Sequence, residues 1–165
     1  MTPMFISSNQ ILLRVALATL CGLVFGLERK RSLKPVGART HILVCLAACT
    51  IAIISAYGFT DIYHTYPENV SVRTDPARLV VGLLTGIGFI GAGIIVKTAS
   101  GAVQGVTTAA EIFLVSVLGI VIGLGHFPLA GLVSVIAIIT LQSERIHFRA
   151  RQKKAERKSR DKETE

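Results

Sequence analysis

The chain is poor in the residues from which a disulfide scaffold, a metal centre or a hydrolytic site is built. It holds only three cysteines in 165 residues, and with no sizeable outer domain these give no disulfide framework. Acidic residues number ten against eighteen Lys and Arg, and no carboxylate falls in mid-block among the apolar residues. A magnesium site wants several convergent oxygen ligands, so a continuous cation path finds weak support. No Ser, Cys or Thr has a base and an orienting group nearby in sequence, and the chain is not read as an enzyme. Long-period repeats are absent, and low complexity is confined to the last 22 residues.

What is abundant is apolar sequence: 51% of residues are hydrophobic, and the mean hydropathy is +0.59. These residues fall in blocks near the roughly 20 needed to cross a bilayer core. Five spans are expected, at about 8–27, 40–57, 77–96, 107–124 and 128–143. Each should be helical, because irregular backbone facing lipid leaves polar groups unpaired. The fold expected is all-α and polytopic, with a transmembrane domain over 1–143 and a basic tail over 144–165. The fifth span is short, so the last two are expected to form a tight hairpin around "GLGHFP", with Arg145 and Arg149 snorkelling from its end. The first segment, "MTPMFISSNQ", has no basic n-region, and the first span is read as retained.

The net charge of +8 raises the question of nucleic acid. The basic stretches carry no aromatic interleaving and no fold signature, so nucleic acid is not expected as a partner. Their placement speaks for topology instead. Five basic residues lie in the 28–39 loop (Arg29, Lys30, Arg31, Lys34, Arg39), Lys97 follows span three, and nine lie beyond residue 143. The positive-inside rule then puts the loop and the C-terminus in the cytoplasm and the N-terminus outside. Arg14, near the outer end of span one, counts among the three on the other side. The tail is too polar to form a core, and is expected to be solvated or to lie on anionic lipid.

Glycines recur inside the spans as small-xxx-small steps: Gly22 with Gly26, Gly82 with Gly86, Gly119 with Gly123. Such steps let helix backbones approach where lipid supplies no hydrophobic drive. The denser "GIGFIGAG", with Gly86, Gly88, Gly91 and Gly93, lines more than one face. Span three is therefore expected at the centre of the bundle. It is not a phosphate loop, since no strand precedes it. His41, Cys45 and Cys49 share one face of span two. One helix supplies too few ligands for a metal, so they are read as packing residues. Asp75 is expected to cap span three, with Pro76 at its first position, and Thr107 and Thr108 to serve span four. Glu111 is the clearest ionisable residue within a span and is a functional candidate by default. Glu28, Arg39, His41 and Lys97 end their spans on the same side, so a shared polar cluster is expected, with Arg39 or Lys97 as the partner of Glu111.

Four blocks resemble the MgtC/SapB family of bacterial inner-membrane proteins: "GLERKRSLKPVGARTHILV" (26–44), "DPARLVVGLLTGIGFIGAGII" (75–95), "VQGVTTAAEIF" (103–113) and "GIVIGLG" (119–125). The resemblance covers about residues 22–125. It implies a five-span plasma-membrane protein linked to growth in low magnesium, virulence and membrane energetics through the ATP synthase. The residues standing in its motifs are Glu28, Arg29, Lys34, Pro35, Gly37, Arg39, Thr40, His41, Asp75, Pro76, Arg78, the four glycines Gly86, Gly88, Gly91 and Gly93, and Thr107 with Thr108. Gln104, Glu111, Phe113 and Ile122 depart from the family's usual residues. The sequence runs only 22 residues past span five, so a short member without the soluble C-terminal domain of better-known members is expected.

The reading is of an inner-membrane protein that binds a membrane protein partner through the 28–39 loop, where a Glu28–Arg39 pair would fold the loop back on the span ends. No cofactor and no metal are expected. A small cation channel or transporter, oligomeric through the glycine faces, is one alternative. A lipid-binding role for the tail is another.

Overall fold

The computed structural model describes residues 6–30, 36–59, 75, 77–99 and 101–143. Five helices dominate: α1 (Ser8–Lys30), α2 (Ala38–Tyr57), α3 (Ala77–Ile94), α4 (Val106–Gly123) and α5 (Phe127–Ser143). Between α3 and α4 lies a hairpin of β1 (Val96–Lys97) and β2 (Val103–Gln104), antiparallel, with Val96 opposite Gln104 and Lys97 opposite Val103. Helices α1 to α4 are each long and apolar enough to cross a membrane, and α5 is shorter. At about 1.5 Å per residue, the 18 residues of α3 or α4 reach about 27 Å.

Helix directions follow from which residues touch. Gly22 lies on Ile42 and Gly26 on Ala38, so α1 and α2 run antiparallel. Gly119 lies on Cys45 and Ala48, and Gly123 on Cys49 and Ala52, so α2 and α4 run parallel. Gly91 faces Ala109, and Gly105 lies on Ile94, so α3 returns antiparallel to α4. The start of α2, the β-hairpin and the start of α4 therefore share one end of the bundle, and Tyr57 and Gly123 share the other.

The centre is the α2–α4 seam, a correction to the expectation for span three. Cys45, Ala48, Cys49 and Ala52 are fully buried on α2, against Gly119 and Gly123 of α4. A Cβ on Gly123 would stand 2.6 Å from the Cys49 carbonyl oxygen, so only glycine admits this approach. The two cysteines thus pack as small apolar residues. In α3 only Ile87 and Gly91 are buried. Among the described residues, nothing lies within 4 Å of where a Cβ would stand on Gly82, Gly86, Gly88 or Gly93. Glycine density marks a helix that can be approached closely, but not whether the approaching helix belongs to the same chain.

The expected fourth helix start also needs correction. Span three stops at Ile94, and the chain turns through the hairpin, where the Thr98 N–H donates to the Ala102 carbonyl at 2.9 Å. Gly105 then caps α4 at φ 90°, a left-handed conformation, and a Cβ there would collide with the Ile94 carbonyl. Thr107 and Thr108 lie inside the first turn, and no side chain caps it. A tight turn follows α4 within "GLGHFP". Gly125 (φ 86°) donates to the Ile122 carbonyl and His126 to that of Val121, the paired bonds of a Schellman motif.

Candidate functional site

The first turn of α2 starts at Gly37, whose carbonyl accepts from the His41 backbone N–H at 3.5 Å and from His41 Nδ1 at 3.0 Å. This second bond clamps the imidazole against its own helix start and turns Nε2 toward α4. There Glu111 Oε1 stands 3.4 Å from Nε2, an ion-pair contact long for an aligned hydrogen bond. Both side chains are closed to solvent, at 0% and 1% exposure. Thr108 is buried beside Glu111 on α4. One step deeper, Val44, Ile87 and Ile112 form an apolar cluster backed by Val36, Leu83 and Ile94. Of the expected polar cluster, the structure brings His41 and Glu111 into contact. Arg39 and Lys97 are exposed, and among the described residues neither makes an ion pair, so the expected Glu28–Arg39 and Glu111–Arg39 or Glu111–Lys97 pairs are not seen. Long flexible side chains at a helix end gain more from water than from a buried carboxylate, whereas the ring of His41 is already inside.

The motif residues divide between the two ends. Gly37, Arg39, Thr40, His41, Thr107, Thr108 and Glu111 gather at the hairpin end, where half-buried Glu28 also closes α1. Asp75 and Arg78 lie at the opposite end, where the Arg78 Nε donates to Asp75 Oδ2 at 3.1 Å with both side chains largely exposed. Among the described residues the Asp75 carboxylate is engaged there, and the expected cap on a backbone N–H is not seen. Lys34, Pro35 and Pro76, the Arg29 side chain and the basic tail lie outside the described residues.

Arg14 was not singled out by the sequence reading. It is only 7% exposed. Its Nη1 donates to the Gly123 carbonyl at 2.6 Å, its Nη2 to the Tyr57 hydroxyl at 3.2 Å, and the guanidinium lies 5.2 Å from the Tyr57 ring centroid. A cation on the last carbonyls of α4 also meets the negative end of the helix dipole. The rule that singled out Glu111, an ionisable residue within a span, applies equally to Arg14.

A groove of about 440 Å³ runs between α2 and α3, lined by residues including Thr40, Leu43, Ala47, Gly82 and Gly86. Along α3, Gly82, Gly86, Phe89 and Gly93 fall at i, i+4, i+7 and i+11, on one face. Phe89 is 83% exposed.

Long apolar helices, an apolar outer surface and buried charge at both bundle ends define a polytopic helical membrane protein. The chain belongs to the MgtC family, whose family model matches residues 15–148. It is similar to Protein SapB of Bacillus subtilis (strain 168), 38% identical over 117 residues, covering 71% of this chain and 49% of that protein. It is also similar to Putative magnesium transporter YhiD of Escherichia coli (strain K12), 36% identical over 135 residues, covering 81% of this chain and 60% of that protein. Protein MgtC of Brucella abortus (strain 2308) is 33% identical over 124 residues, covering 75% of this chain and 44% of that protein. The chain thus spans about half the length of these relatives. No solved structure matches it.

Proposed function

We propose that this chain is a five-span protein of the bacterial plasma membrane, N-terminus outside and C-terminus cytoplasmic. It serves adaptation to low magnesium and the control of membrane energetics by binding a membrane protein partner. The orientation rests on the charge asymmetry, and the physiological role on family membership. The observation that carries the partner reading is the open glycine face of α3. In lipid, glycines earn their place by admitting another backbone, yet among the described residues Gly82, Gly86 and Gly93 admit none. A transmembrane helix of the partner fits there, its backbone against Gly82 and Gly86 and its side chains in the α2–α3 groove.

The test is growth of a deletion strain at low magnesium, complemented with wild type or Gly86→Leu at matched membrane levels. Rescue by wild type and failure of Gly86→Leu supports the reading. Full rescue by Gly86→Leu, or no growth defect in the deletion strain, contradicts it.

A second reading, magnesium transport, draws on the name of the Escherichia coli relative. Purified protein in liposomes showing magnesium flux that Glu111→Gln abolishes would favour it.

A further inference from the structure

We propose that the α2–α3 groove binds one acyl chain of an anionic phospholipid, with the lipid's phosphate held by Arg39 and Thr40 at the mouth. The groove exists because Ala47 of α2 and Gly82 and Gly86 of α3 bring little bulk to it, while Val44, Leu83 and Ile87 form its floor. At about 1.5 Å per residue it runs about 10 Å along α2, from Thr40 to Ala47, and about 12 Å along α3, from Gly82 to Ile90. The two helices run antiparallel, so Ile90 lies at the Thr40 end. That length is less than one leaflet, which is half of a core of about 30 Å, and it falls in the hairpin half of α2. A lipid of that leaflet meets the groove with its headgroup at Thr40 and its chain pointing to the midplane.

The mouth carries the chemistry that recognises a phosphate. Arg39 and Leu43 are i and i+4 on α2, so Arg39 stands one turn above a residue that lines the groove. It is exposed, and among the described residues no ion pair holds it. Thr40 is the only polar side chain among the described residues that line the groove. Thr19, Thr50, Thr85 and Thr140 donate their hydroxyls to the carbonyl four residues earlier, whereas among the described residues Thr40 makes no such bond. Its hydroxyl is left to donate to a phosphate oxygen, beside the forked donors of the Arg39 guanidinium. The sign of the charge at this end does not depend on how its residues pair. Residues 28–39 hold five basic residues and one acidic, and Lys97 is exposed on the hairpin. Basic pockets between membrane helices hold anionic headgroups in this way. The site goes beyond the partner reading and alternates with it, since the side chains of a docked helix enter the groove only when the acyl chain leaves.

The test uses the purified full chain in lipid nanodiscs without any partner, so its failure is distinct from failure of the partner reading. The chain has no tryptophan. Leu43→Trp therefore gives one indole at the groove, and Leu20→Trp gives one on the exposed face of α1, where Leu20 is 56% exposed. Each is quenched by dibrominated phosphatidylglycerol or dibrominated phosphatidylcholine, at equal fractions in an unbrominated bilayer. At Leu43→Trp the phosphatidylglycerol should compete about fivefold better, the weight of one cation beside an anionic headgroup, and adding Arg39→Gln should remove that advantage. At Leu20→Trp the two lipids should quench alike. Equal quenching at Leu43→Trp, the same advantage at both positions, or an advantage that survives Arg39→Gln overturns the proposal. The unmodified chain gives a reading that does not depend on the variants folding. In native mass spectrometry from micelles holding equal phosphatidylglycerol and phosphatidylcholine, it should retain phosphatidylglycerol, and retention of both alike, or of neither, overturns the proposal.

Discussion

Nε2 of His41 stands 3.4 Å from Oε1 of Glu111, and this contact ties the first turn of α2 to the second turn of α4 where the hairpin enters the bundle. Both side chains are closed to solvent, so removing either one breaks a buried polar contact. Glu111→Ala or His41→Ala should each cost about 3–5 kcal/mol of stability, the usual penalty for breaking a buried pair. The paired replacement His41→Leu with Glu111→Leu should recover much of that loss. Thermal unfolding of the purified chain in detergent, read as a double-mutant cycle, measures both.

The glycines should separate into two classes. Gly22→Ala places a Cβ 2.6 Å from the Ile42 Cα, and Gly123→Ala places one 2.6 Å from the Cys49 carbonyl oxygen. Both should lower the unfolding temperature. Gly82→Ala and Gly88→Ala meet open space, and should be neutral or raise stability by up to about 1 kcal/mol through helix propensity. The same unfolding assay distinguishes the two.

Arg14 predicts a difference between charge and geometry. Its fork reaches the Gly123 carbonyl and the Tyr57 hydroxyl together, which a lysine ammonium on a single stem does not reproduce. Arg14→Lys should therefore be clearly less stable than wild type, and Arg14→Met less stable still, with Tyr57→Phe showing only part of the loss. Unfolding midpoints across the three variants check the order.

At Gly105 two constraints coincide: φ of 90° and the Ile94 carbonyl at the Cβ position. Gly105→Ala should disturb the hairpin and the start of α4. Gly101→Ala, at φ 85° with open space around it, should cost less, about 1–2 kcal/mol from the left-handed backbone alone. Amide hydrogen exchange over residues 96–106 reports the difference.

The helices were legible because their cause is local: four apolar blocks are long enough to cross lipid, and Gly125 ends α4 with a conformation glycine favours. The hairpin was not, because two-residue strands leave no alternation to read and its need for Gly105 arises from the Ile94 backbone. At the site, the sequence placed His41 and Glu111 at the same end of the bundle through span order alone. It could not show that the Gly37 carbonyl clamps the ring toward α4, which is what makes His41 and not Arg39 or Lys97 the partner. The four glycines on α1 and α4 pack as expected. On α3 Gly91 lies against Ala109, whereas among the described residues Gly82, Gly86, Gly88 and Gly93 meet nothing, since spacing records closeness without naming the neighbour.

The central claim, that α3 offers its glycine face to a partner helix, is tested most directly by placing a photoreactive residue at Phe89 in living cells grown at low magnesium. The account predicts a discrete adduct between this chain and a different membrane protein, abolished by Gly86→Leu at an unchanged membrane level. No adduct, or an adduct only with a second copy of the chain, would contradict it.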